Sequence, residues 1–297
     1  MNLYLNTFEN VKNIPELFAY IFIFIIGAAI GSFLNVVIHR VPNEKSIIFP
    51  NSACPNCKKS IKPYDNIPIL SWLILSGKCR SCKTPISPRY LFVELLTGLL
   101  FLLVYWSVGF SVFLPVALIF TAAIVSLVFI DAEHMILPNV ITYPLLIFAL
   151  LIRLIFPLLF GANYFSDFKN FPLNQMQDSS VWLVSLVGAI LGALVGGGFL
   201  WLVGAIWKKL RGVDAMGLGD VKMMLAVGAL LGWQLTLLSI FIGALTGAII
   251  GIFVIARQKE KDFQTQIPFG IFLGIGSILS LLFGEQIIYW YMNNFLP

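Results

Sequence analysis

Two aspartates and four cysteines are the residues of this 297-residue chain whose type and spacing can do chemistry. Asp131 ends the apolar run at 122–130, within FIDAEHMILPN, and Asp220 follows MGLG at 216–219 and opens another apolar run. A charge inside or at the end of a lipid-embedded helix is costly and by default marks function. One aspartate at a helix end is most often a cap or a snorkelling charge; two at the same membrane edge favour a shared role. Paired carboxyl groups can activate a water and protonate a carbonyl oxygen or a leaving amine, the chemistry of peptide-bond hydrolysis. A helix amino terminus favours a carboxylate, a carboxyl terminus disfavours one, and neighbouring carboxylates repel. On this reading Asp220 is the ionised base and Asp131 the protonated acid. Gly217 and Gly219 are expected to give the Asp220 loop positive-φ freedom and room for substrate backbone. Lys222 is expected to support the loop by biasing the charge of Asp220.

The cysteines read CPNC at 54–57 and CRSC at 79–82, two knuckles with 21 residues between them. Each C-x2-C turn presents two thiolates, and together Cys54, Cys57, Cys79 and Cys82 complete a tetrahedral zinc site. Four sulfur ligands leave the metal no open position, so it folds the loop rather than catalyses. A cytosolic location disfavours two disulfides. Lys58, Lys59, Lys78, Arg80 and Lys83 are expected to favour the thiolate form.

Elements of a particular kind must carry these groups. Hydrophobic residues make up 59% of the chain and charged ones 11%, against about 45–50% and about 25% in soluble domains. Lipid must therefore be the solvent for most of the chain. A spanning helix needs about 20 mostly apolar residues, and the spacing predicts eight: 17–39, 90–107, 111–131, 138–160, 181–207, 220–232, 234–256 and 268–292. Gly232 is the expected turn between the sixth and seventh. The fold class is thus an all-α polytopic membrane protein, with a small zinc-ribbon-like cysteine loop between the first and second spans. Residues 1–39 hold the first transmembrane helix, 40–89 the cysteine loop and 90–297 a membrane-embedded catalytic domain.

A net charge of +5 does not imply a nucleic-acid partner, because the basic residues flank apolar spans. With eight alternating spans, 16 of the 19 Lys and Arg residues fall on one side, Lys259 and Lys261 among them, leaving Lys12, Arg153 and Lys169 elsewhere. The positive-inside rule makes that side the cytosol, and it carries both aspartates and the cysteine loop. Glycines four apart, at 27/31, 188/192/196, 243/247/251 and 270/274, predict close packing within one bundle rather than a dimer contact. Glu94 is expected to pair with Arg89, Glu133 to be solvated in a short loop, and Arg153 and Glu285 to snorkel from outer helix ends. His39 and His134 are too far apart in sequence to suggest a metal site.

In order along the chain, GSFLNVVIHRVP (31–42), the CPNC…CRSC loop with NIPILSW (66–72), ISPRYLFVE (86–94), the D-x6-P run at 131–138 and GLGD (217–220) resemble bacterial prepilin peptidases, membrane aspartyl proteases of the GxGD type. The resemblance implies cleavage of the basic leader from prepilins and pseudopilins at the cytosolic face of the bacterial inner membrane. It also implies N-methylation of the new terminus with S-adenosylmethionine. The catalytic aspartates map onto Asp131 and Asp220, and the loop cysteines onto Cys54, Cys57, Cys79 and Cys82, as zinc ligands. Glu133 and Asn139 depart from the family, where aspartate is common at both. Two other readings compete: a transporter whose aspartates bind a cation, and a scaffold docking partners through the cysteine loop. A transporter usually places its charges near the bilayer midplane, and these lie at one edge.

Overall fold

The computed structural model describes residues 16–157, 173–176, 180–212, 216–257 and 268–295; Lys12, Lys169, Lys259, Lys261 and the last three residues of the predicted fourth span lie outside them. Among the described residues the helices are α1 Glu16–Arg40, α2 Leu70–Ile74, α3 Pro88–Val108, α4 Leu114–His134, α5 Asn139–Ile155, α6 Val181–Arg211, α7 Leu218–Leu231, α8 Trp233–Arg257 and α9 Phe269–Phe295. Each of the eight predicted spans is one of these helices, and α2 belongs to the cysteine loop. By length and apolarity α1, α3, α4, α6, α8 and α9 can cross a membrane, while α5 and α7 are shorter. The chain is a multi-pass all-α membrane protein.

Local sequence sets the boundaries. Ser87 caps α3 by accepting from the Arg89 N–H at 3.3 Å, with Pro88 at the first helical position, where its missing N–H is no loss. Ser180 caps α6 in the same way. Gly232, at φ +81°, breaks α7 from α8 in a backbone conformation closed to most side chains, and its N–H closes the last turn on Gly228.

The chain falls into two compact units, Met1–Ser126 and Leu127–Pro297. In the first unit α1 packs along α3. A Cβ on Gly27 would lie 2.8 Å from the Gly98 Cα, and one on Gly31 equally close to the Glu94 Cα, so the two glycines set the helix separation. In the second unit α7 is central, packed by α5, α6, α8 and α9. A Cβ on Gly192 of α6 would fall on the Gly228 carbonyl of α7, and one on Gly243 of α8 lies 3.0 Å from the Phe272 carbonyl of α9. The glycine stripes are packing surfaces within the unit, as their spacing predicts.

Central placement explains why α7 is short. Fourteen residues rise only about 21 Å, less than the roughly 30 Å of hydrocarbon. The helix therefore ends inside protein, where its last carbonyls need donors. Arg153 of α5 supplies them. Its Nε donates to the Ala229 carbonyl at 3.1 Å and its Nη2 to the Leu230 carbonyl at 3.0 Å. The side chain is fully buried, so the expected snorkelling is wrong: the charge turns inward because unsatisfied carbonyls lie there. The Arg153 carbonyl in turn accepts from the Ser185 hydroxyl of α6.

Candidate active site

Asp131 sits in the last turn of α4 and Asp220 in the first turn of α7, both in the second unit and both buried. Asp220 is the third residue of its helix, and its carboxylate reaches back to the Gly217 N–H at the cap position, the return half of a capping box. Asp131 is held from a different element. Its Oδ2 accepts from the Ile271 N–H of α9 at 3.2 Å, with the Gly270 N–H beside it. The carboxyl group at the end of α4 is thus also a carboxyl group at the amino end of α9. The helix-dipole argument that separates the two aspartates in the sequence therefore fails, because each faces the positive end of a helix.

Leu137, in the loop after α4, ties the two together. A Cβ on Gly270 would lie 2.7 Å from Asp131 Oδ2 and 3.1 Å from Leu137 Cδ1, and one on Gly219 would lie 2.8 Å from Leu137 Cβ. Leu137 thus packs against the neighbours of both aspartates. Residues far apart in the chain converge on one site.

The glycine reading needs correction. Gly217 is extended at φ −71°, Gly219 is helical, and neither takes positive φ. Gly219 is there for space, against Leu137; a Cβ on Gly217 would meet only Asp220 Oδ2, at an ordinary 3.4 Å. Lys222 reaches across to α5. Its Nζ donates to Asn139 Oδ1 at 2.9 Å and lies over the Tyr143 ring, so it ties the first turn of α7 to the start of α5. Glu133 is in the last turn of α4, exposed, not in a loop.

In the cysteine loop the two knuckles share one backbone design. The Cys54 N–H bonds the Lys59 carbonyl at 3.0 Å and the Cys79 N–H the Thr84 carbonyl at 2.9 Å. Lys58 and Lys83 take left-handed φ at matching places, and single bridges pair Ala53 with Ser60 and Lys78 with Pro85. The four Sγ atoms lie within 4.8 Å of one another, Cys54 and Cys82 at 3.7 Å. Four sulfurs about 2.3 Å from a tetrahedral zinc stand about 3.8 Å apart, so the cluster fits a metal. Hydrogen bonds from the Thr84 hydroxyl and backbone pull Cys82 down to about 5. The Cys57 and Asn56 N–H groups lower Cys54. Cys57 is favoured as thiolate by the Lys59 N–H, yet burial and the three other sulfurs push it up to about 11. The strongest stabilisers are thus backbone amides and Thr84, not the flanking lysine charges.

The comparisons with known proteins agree with this layout. Residues 25–108 match the model of the bacterial peptidase A24 N-terminal domain, and residues 117–252 that of the type IV leader peptidase family. The chain is 36% identical to the prepilin leader peptidase/N-methyltransferase of Pseudomonas aeruginosa over 91% of its own length and 92% of the relative's. With the enzyme of the same name from Aeromonas hydrophila it shares 36% identity over 97% and 98%, and with that of Legionella pneumophila 34% over 94% and 96%. The chain belongs to the type IV leader peptidase family. No solved structure matches it.

Two residues beside the aspartates escape a reading of sequence alone. Gly270 stands out there only as half of a packing pair, whereas it leaves room for the Asp131 carboxyl. Leu137 carries no chemical signal at all. In the first unit, Glu94 Oε2 accepts from the Ile69 N–H at 2.7 Å, and the Ser32 hydroxyl also reaches it.

Proposed function

We propose that Asp131 and Asp220 are the catalytic pair with which this enzyme cleaves the leader peptide from prepilins and pseudopilins, before it N-methylates the new amino terminus. The observation that supports the pair is their convergence in one unit, joined through Leu137 and each facing the amino end of a helix. The chemistry requires one proton between them. The ionised carboxylate takes a proton from water as its oxygen attacks the scissile carbonyl, and the protonated carboxyl gives its proton to the carbonyl oxygen. Collapse of the tetrahedral intermediate breaks the C–N bond: the proton taken from water passes to the leaving nitrogen, and a hydroxyl of the intermediate returns its proton to the other carboxylate, which restores the one shared proton. Exposed Met135, Ile136 and Leu218 beside the pair suit a substrate whose basic leader is followed by an apolar helix.

The site faces the cytosol of the bacterial inner membrane. Arg40 and Arg89 flank the cysteine loop, and Lys208, Lys209 and Arg211 end α6, the pattern of an inner face. Residues 90–297 form the peptidase domain and 1–39 the first transmembrane helix. Residues 40–89 form a methyltransferase-associated loop folded on zinc by Cys54, Cys57, Cys79 and Cys82. S-adenosylmethionine as methyl donor belongs to the same proposal and is assigned to no residues.

Asp131→Asn and Asp220→Asn variants, purified in detergent with a synthetic prepilin, test the pair. Each should lose cleavage by at least about 100-fold, the lower range for a lost acid–base group. Both should still methylate a pre-cleaved pilin, because amine attack on a sulfonium needs no hydrolytic water. Cleavage retained in both variants excludes the pair.

A further inference from the structure

Two apolar segments of the cysteine loop are exposed, and each is pinned to the end of a membrane helix by a charged side chain. Arg40, the last residue of α1, donates from Nη1 to the Ser46 carbonyl at 2.8 Å and from Nη2 to the Pro50 carbonyl at 2.7 Å. Between those anchors Ile48 and Phe49 are 69% and 73% exposed. Glu94 of α3 holds the Ile69 N–H, where α2 begins. From α2, Leu70, Leu73 and Ile74 are 55%, 54% and 74% exposed.

The Glu94 bond sets a depth. Glu94 lies six residues beyond Pro88, the first residue of α3, which is about 9 Å along the axis. The 21 residues of α3 rise about 31 Å, close to the roughly 30 Å of hydrocarbon. The start of α2 therefore reaches below the first residue of α3, to the level of lipid rather than of bulk water. At the same end of α3, Asn35 of α1 donates to the Tyr90 carbonyl at 3.1 Å. Phe33 of α1 and Tyr90 and Phe92 of α3 are exposed near the same end. In the same loop Lys45, Lys58, Lys59, Lys62, Lys78 and Lys83 are all exposed, and residues 40–89 carry nine basic side chains against Glu44 and Asp65. Exposed apolar side chains in a basic loop match an anionic lipid interface. In water the same surface would be an uncovered apolar patch.

We propose that Ile48–Phe49 and the exposed side of α2 insert into the interfacial region of the adjoining leaflet, so that the cysteine loop is docked on anionic phospholipid rather than suspended in water. The inference is independent of the catalytic pair. Its test uses the full chain in lipid nanodiscs, with para-trifluoromethylphenylalanine in place of Phe49 or, separately, of Leu73. Prepilin cleavage by each labelled protein establishes that it is folded. Fluorine relaxation is then compared between a doxyl-labelled phospholipid and a water-soluble gadolinium chelate. Both probes should be relaxed more by the lipid label than by the chelate, and the difference should be larger in phosphatidylglycerol discs than in phosphatidylcholine discs. Stronger relaxation by the chelate at both positions overturns the proposal. So does protection that arises only when a synthetic prepilin is added, which would make the segments a substrate surface.

Discussion

At the scale of single residues, the space around the two carboxyl groups is set by side chains that do no chemistry. A methyl group on Gly270 would press on Asp131 Oδ2 and Leu137 together. The alternative positions for the carboxyl are limited by burial, so Gly270→Ala should displace it. A shift of about 1 Å can cost on the order of 100-fold in rate, and kcat for prepilin cleavage should fall toward that extent while the protein remains folded. The two glycines of the GLGD run should behave unequally. Gly219→Ala forces a Cβ to 2.8 Å from Leu137 Cβ, whereas Gly217→Ala meets nothing closer than 3.4 Å. Cleavage assays on the two variants should show a marked loss for Gly219→Ala and a small one for Gly217→Ala. Equal losses would favour substrate approach over packing as the reason for both glycines.

At the scale of elements, the short central helix is the unusual part. α7 brings Asp220 to the site with its first turn and leaves its last carbonyls inside the unit, so its two ends have opposite needs. The amino end is joined to α5 through Lys222 and Asn139, and the carboxyl end to α5 through Arg153. Replacing Arg153 by Ala leaves buried carbonyls short of donors at about 1–3 kcal/mol each. Arg153→Ala should therefore lower thermal stability in detergent, measured by a fluorescence melt. Arg153→Lys, which keeps the charge but loses the planar fork, should recover only part of it. A melt unchanged in Arg153→Ala would show that the guanidinium is not what closes the helix.

At the scale of the whole molecule, the cysteine cluster and the two aspartates sit in segments with separate supports. The cysteine knuckles are held by their own turns, by the Asn56 amide on the Thr84 hydroxyl and by the Asp65–Arg80 ion pair, while the aspartates are held within Leu127–Pro297. Loss of metal should thus unfold the loop without dismantling the peptidase site. Cys54→Ser, or stripping zinc with a strong chelator, should reduce methylation more than cleavage, with metal content read by elemental analysis of the purified protein. Parallel loss of both activities would show that the loop is needed to fold the enzyme as a whole.

Much of this protein was settled by local information. Apolar runs of bilayer length must become helices, because lipid offers the backbone no hydrogen-bond partners, so the helices and the Gly232 break were legible in the sequence, while six of the eight are long enough to cross a membrane. The cysteine cluster and the ordered motifs marking the family were legible as well, since their spacing is itself the signal. Only tertiary structure decided that Asp131 meets the amino end of α9, that Gly219 yields to Leu137 and that Arg153 turns inward. These outcomes depend on which distant residues meet and which buried carbonyls lack donors. No pattern along a single helix carries that information.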